Sequence, residues 1–185
     1  KALEISFAAH GEKRISVANP YNNMANAYRE QGKLNLALEY NAKALNIKIV
    51  AFGEKRPSVG QTYNNMAIVY ENKGKIDLAL EYYAQALDIC IAAFGEKRPD
   101  VGGTYGNMTG VYGEQGKLDL ALEYYANALE IKIAALGEKH PDVGDTYENM
   151  GILHEKNGEY SKALSCYEKV YPIRLESLGE DHSST

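Results

Sequence analysis

The sequence predicts an all-α fold, a solenoid of stacked antiparallel helix pairs. Three observations carry that prediction: glycines recur at a fixed interval, apolar residues between them follow helical spacing, and strand signals are absent. Gly11, Gly53, Gly95, Gly137 and Gly179 stand 42 residues apart, and Gly32, Gly74, Gly116 and Gly158 form a second ladder with the same interval. Residues 53–94 and 95–136 align without a gap with 29 identities in 42 positions.

The elements follow in order. Residues 1–10 match the second helix of a pair whose first helix is missing, and four full repeats follow at 11–52, 53–94, 95–136 and 137–178. Residues 179–185 open a further connector, so both ends cut the pattern and the chain reads as a fragment of a longer array. The first helix of each pair is expected at about 18–31, 57–73, 99–115 and 141–157. In the second repeat Val59, Tyr63, Met66, Ala67 and Tyr70 keep helical spacing, as do Ile76, Ala79, Leu80, Tyr83, Leu87, Ile91 and Phe94 after Gly74. Gly74 separates the runs as a left-handed residue closing the first helix, Gly95 ends the second, and Pro99 sits where a missing N–H costs nothing. Small residues recur inside the second helices, Ala37, Ala79, Ala121 and Ala163 at one position and Ala44, Ala86 and Ala128 at another, the latter broken by Val170. Larger side chains there would force the helices apart, typically at about 1–3 kcal/mol. Pro172 falls inside the last helix and is expected to kink it.

Composition removes several function classes. The net charge is −5, without the basic balance of a phosphate-backbone binder, so no nucleic-acid partner is expected. The longest apolar run, Ile89 to Phe94, is six residues and far short of the roughly 18 that a membrane span requires. No signal peptide opens the chain, and two cysteines, Cys90 and Cys166, fit a reducing, cytoplasmic compartment. No catalytic constellation survives: His10, His140 and His182 lie in connectors, and His154 replaces a repeat tyrosine as a packed or edge histidine. His154-Glu155 lacks the second histidine of a zincin helix, and Gly110 to Lys117 is out of register for a phosphate loop. Cys90 replaces Lys48 and Lys132 at what reads as an edge position. The expectation is therefore no enzyme, no metal and no cofactor.

The pattern Tyr63-x-x-Met66-Ala67-x-x-Tyr70-x-x-x-Gly74-x-Ile76-x-x-Ala79-x-x-x-Tyr83-x-x-Ala86-Leu87 resembles the tetratricopeptide repeat. The 42-residue period and the connector from Leu136 to Val143 are similar to the kinesin-light-chain and nephrocystin-3 variety. The resemblance covers essentially the whole chain. It implies a right-handed superhelix in which the first helices line a concave groove that takes an extended peptide or partner segment.

Placing that pattern on each repeat assigns the inward residues. They are Asn19, Asn22, Asn23, Asn26 and Arg29 in the first repeat and Gln61, Asn64, Asn65, Ile68, Glu71 and Asn72 in the second. The third offers Gly103, Gly106, Asn107, Gly110, Gly113 and Glu114, and the fourth Asp145, Glu148, Asn149, Ile152 and Glu155 against Lys156. Asn23, Asn65, Asn107 and Asn149 share one register. Asparagine is a mediocre helix former, and its amide can both donate to and accept from a peptide backbone. The same ladder would serve if each amide bonded the neighbouring pair and locked the repeats together. Gly102, Gly103, Gly106, Gly110 and Gly113 weaken one helix by roughly 4–5 kcal/mol at about 0.8–1 kcal/mol each. They mark either a bare strip for close approach or tolerated drift. Kinesin-light-chain grooves take acidic, aromatic cargo through basic residues; this groove is neutral or acidic, and basic ligand residues are expected near the fourth repeat. The recurring tyrosines, Tyr21, Tyr63, Tyr105 and Tyr147 with Tyr40, Tyr82 and Tyr124, read as core packing. The rival readings are a structural solenoid that self-associates through its ends, and a regulatory or sensor arm of a larger protein.

Overall fold

The computed structural model describes residues 16–95 and 98–182. Among these the chain forms helices only: α1 Ala18–Glu30, α2 Leu34–Phe52, α3 Pro57–Asn72, α4 Ile76–Phe94, α5 Pro99–Glu114, α6 Leu118–Leu136, α7 Pro141–Lys156 and α8 Tyr160–His182. The helix expected over 1–10 lies outside the described residues. Two compact units divide after Gly95. In the N-terminal unit α1 pairs with α2 and α3 with α4, and α3 also packs on α2 and α1. In the C-terminal unit α5 pairs with α6 and α7 with α8, and α7 also packs on α6.

Each pair closes through the same turn. At Gly74 (φ 69°) the Lys75 N–H donates to the Tyr70 carbonyl at 2.9 Å and the Gly74 N–H to Glu71 at 2.8 Å. That is the double bond of a glycine-terminated helix, and the left-handed φ is open to glycine without a Cβ penalty. Pro57, Pro99 and Pro141 are the first residues of α3, α5 and α7, where proline's fixed φ suits the opening turn.

The alanines of the second helices stand where the sequence puts them: Ala37, Ala44, Ala79, Ala86 and Ala121 are fully buried. The first helices meet them through a second small-residue register, Ala18, Gly60, Gly102 and Gly144. A Cβ on Gly60 would lie 3.2 Å from Ile89 Cγ2, one on Gly102 3.0 Å from Ile131 Cγ2, and one on Gly144 3.1 Å from Ile173 Cγ2. Gly102 is thus a packing residue. At the C-terminal end α8 continues through Pro172 and through Gly179, so the connector expected from 179 is helical as far as His182. The connectors after Gly53, Gly95 and Gly137 end on a proline four residues after their glycine, whereas position 183 is serine.

Candidate functional site

On α1 the candidates Asn19, Asn23 and Asn26 are exposed and Arg29 is half-buried; on α3 Gln61 is exposed and Asn64 and Asn65 are half-buried. In the C-terminal unit Asn107 and Glu148 are half-buried and Asn149 is exposed. Of the amide ladder, Asn23, Asn65 and Asn149 make no side-chain hydrogen bond to described residues, so at these three positions the amides do not tie neighbouring pairs together. Asn22 does. It is buried, and its Nδ2 donates to Thr62 Oγ1 at 3.3 Å, joining α1 to α3. Asn22 is therefore withdrawn from the binding set: one step along a helix turns a side chain by about 100°, which here separates an open face from an interhelix seam.

A second register decides how full each repeat is. Residues 29, 71, 113 and 155 on the first helices stand opposite 41, 83, 125 and 167 on the second. Tyr83 is fully buried and its hydroxyl donates to Glu71 Oε2 at 2.7 Å. Burial, then this carboxylate, pushes the Tyr83 phenol well above its ordinary range. In the fourth repeat Tyr167 faces Glu155, and burial, then that carboxylate, raises its phenol in the same direction. In the third repeat the acid is replaced by Gly113, and Tyr125 is only half-buried. A hollow of about 220 Å³ opens there between α5 and α7, bounded by Gly110, Gly113, Tyr125, Asn149, Ile152 and Lys156. Gly103 and Gly106, on the same helix, have nothing within 4 Å of where a Cβ would stand. The five glycines thus divide: Gly102 is packed, Gly103 and Gly106 leave open surface, and Gly110 and Gly113 border the hollow. In the first repeat the pair is Arg29 and Asn41. Asn41 is wholly buried with neither amide atom partnered, a costly arrangement with no counterpart elsewhere in the register.

The charge expected near the fourth repeat is corrected by one residue. Arg174 of α8 donates to Asp145 Oδ1 at 2.8 Å and to Glu148 Oε2 at 2.7 Å, so these acids are already paired across α7 and α8. The preference for basic ligand residues loses its basis, and Glu148 offers a carboxylate shared with a guanidinium. Lys156 remains at the hollow's edge beside Glu114.

The remaining chemistry-bearing side chains are structural. His154 is buried with Nδ1 2.7 Å from Glu159 Oε2. Hydrogen bonds from Lys162 and then His154 hold the Glu159 carboxyl down at about 2. Burial pushes the Cys166 thiol up, away from the thiolate a nucleophile needs. Tyrosines cluster in threes: Tyr82 lies 5.1 Å from Tyr70 and 5.8 Å from Tyr63 between ring centroids, and Tyr124 stands likewise between Tyr105 and Tyr112. Burial and the Tyr112 ring hydroxyl push Tyr124 up to about 12. Among the described residues no group of three His, Cys, Asp or Glu side chains could hold a metal.

The position read as an edge is an interior one. Lys48 is 2% exposed; its Nζ donates to the Ser58 carbonyl at 3.1 Å and to Thr62 Oγ1 at 2.9 Å, bolting α2 to α3. Lys132 repeats this in the C-terminal unit, reaching Thr146 Oγ1 at 2.8 Å. Cys90, in the same register, is buried as well. Lysine is the wrong residue type to suggest burial; the usable signal was the threonine 14 residues downstream in both cases, Thr62 and Thr146.

A family model described as Tetratricopeptide repeat matches residues 16–92, 58–125 and 100–176. No curated protein matches the sequence. Among solved structures the chain is similar to BtubC (BKLC) from P. vanneervenii, with a TM-score of 0.80 and 27% identity over 88% of this chain; it spans 65% of that protein's length. A Podosopora anserina kinesin light chain with nearly identical TPR-like repeats superposes with a TM-score of 0.76 at 18% identity, over 88% of this chain and 77% of the other. Aspartyl phosphate phosphatase F from Bacillus subtilis gives 0.79 at 19% identity, over 89% of this chain and 42% of its own. The last two likenesses concern the fold alone.

Proposed function

Because the chain belongs to the tetratricopeptide-repeat family, whose members generally serve as protein–protein interaction scaffolds, we propose that it is a non-catalytic scaffold holding an extended peptide or partner segment against its first helices. The observation that carries this reading is the pairing of uncommitted amides with a hollow. Asn149 stands at the edge of the space that Gly110 and Gly113 leave open, and Asn23 and Asn65 present the same register in the N-terminal unit. Each amide can accept a peptide N–H and donate to a carbonyl, at about 0.5–1.5 kcal/mol net per bond. The hollow beside Asn149 takes one bulky side chain. Asn19, Asn26, Arg29, Gln61 and Asn64 flank the amides of the N-terminal unit, and Asn107 those of the C-terminal unit. The reading requires no cofactor, and two buried cysteines outside any disulfide fit a cytoplasmic setting.

The test selects ligands from an unbiased peptide library with the whole chain and measures them on two variants. Asn65→Ala with Asn107→Ala is expected to weaken binding about tenfold or more with helicity and melting nearly unchanged. Gly113→Glu, which restores the acid found in the second and fourth repeats, is expected to fill the hollow and abolish binding while stabilising α5. Loss of folding in the first variant, with binding intact in the second, would reassign the asparagines to the architecture.

A further inference from the structure

A cavity of about 440 Å³ opens in the N-terminal unit, where the first turns of α1 and α3 meet the end of α2. Asn19, Lys48, Phe52, Arg56, Pro57 and Ser58 line it. We propose that this cavity binds a phosphate dianion, free or esterified to an apolar carrier, with its oxygens held at Arg56 and Ser58 over Lys48.

The charge in the walls is all of one sign. Lys48 is buried, and its ammonium donates only to neutral oxygens, the Ser58 carbonyl and the Thr62 hydroxyl. Burial pulls that amine down from its ordinary range, and no carboxylate acts to hold it up. A buried charge without an opposite one is costly. An anion seated in the cavity relieves that cost through the low dielectric beside it, without displacing either oxygen. Arg56 is exposed and makes no hydrogen bond or ion pair to a described residue, so its donor fork is open to a ligand. The Ser58 hydroxyl and the Asn19 amide are likewise uncommitted among the described residues. The first turn of α3 holds no acidic residue, which leaves the positive end of its dipole unshielded.

The C-terminal unit carries a balanced version of the same registers. Lys48, Arg56 and Ser58 correspond there to Lys132, His140 and Asp142. His140 Nδ1 accepts the Asp142 N–H at 3.2 Å, so that nitrogen carries no proton, and Asp142 places a carboxylate in the first turn of α7. One cation and one acid of the chain's own thus occupy those positions. In the N-terminal unit the same positions hold two cations and no acid, a match for a dianion. A guanidinium fork, a hydroxyl and a helix terminus together suit the oxygens of a phosphoryl group. Phe52, 44% exposed, and Pro57 add an apolar wall on which an ester's carrier can lie.

The probe is phenyl phosphate, titrated calorimetrically into the whole chain at fixed ionic strength and about pH 7.5, where the ester is a dianion. Saturable binding is expected. Arg56→Gln should weaken it about tenfold or more, and so should Ser58→Asp, which installs the acid found in the C-terminal unit. Arg56 is exposed and aspartate suits a helix's first turn, so neither variant should lose helicity. Lys55→Gln removes a neighbouring exposed cation that does not line the cavity and should leave binding intact. Inorganic phosphate is titrated in parallel to identify the source. Phenyl phosphate binding more tightly, with the margin lost in Phe52→Ala, supports an ester whose carrier packs on Phe52; equal affinities support the free ion. The proposal is overturned by no binding up to about 10 mM ligand. Equal weakening by Lys55→Gln and Arg56→Gln would also overturn it, as diffuse attraction to a basic surface, and so would benzoate binding as tightly as phenyl phosphate.

Discussion

The second and third repeats share 29 of 42 residues and differ most where it matters. In the second, a fully buried Tyr83 donates to Glu71 across the helix pair. In the third, Gly113 leaves Tyr125 facing a hollow. A single register converts a structural hydrogen bond into an opening. Repeats of this kind can therefore be specialised at one position while the alanine seam and the glycine turns stay fixed.

Four experiments break or sharpen the comparison. The largest difference is expected between Tyr83→Phe and Tyr125→Phe. The first removes a buried hydroxyl's hydrogen bond to a carboxylate and should cost about 1.5–3 kcal/mol in urea unfolding, whereas the second should cost almost nothing. Equal costs would show that Tyr125 has a partner of its own. Next, Gly113→Glu should stabilise the chain by about 1 kcal/mol through helix propensity alone, and more if the bond to Tyr125 forms. Its Cβ would meet Leu153 Cδ2 at 3.7 Å, an ordinary contact, so a loss of stability would contradict the geometry. Gly103→Ala and Gly106→Ala should each add up to about 1 kcal/mol, because both positions face open space. The smallest effect is alkaline. The folded pKa of Tyr83 is raised, so its contribution is complete below pH 10, the ordinary value, and declines as pH climbs beyond it. Melting curves from pH 9 upward should fall less steeply for Tyr83→Phe than for the native chain.

Much of the fold was legible because a fixed period repeats every decision. The glycine ladders located the turns, and the first helices end within a residue of where apolar spacing puts them. What a single sequence could not separate were neighbours on one face. Asn22 and Asn23 are the same residue type one step apart, yet one is sealed against Thr62 and the other is exposed. Arg174 neutralises two acids 26 and 29 residues earlier, a pairing set by how α8 crosses α7 and invisible to spacing along the chain. Lys48 escaped because its long stem buries like a hydrocarbon while its head finds two oxygens.

That lysine has a consequence for the chemistry of the intact molecule. An amine sealed between α2 and α3 and engaged with two acceptors is out of reach of acylating reagents and modifying enzymes while the helices stay together. Lys33, Lys55 and Lys75, all at the surface, are open to them. The order in which lysines are labelled therefore times the parting of α2 from α3: Lys48 should react last among these four, and its rate should track the frequency of that opening.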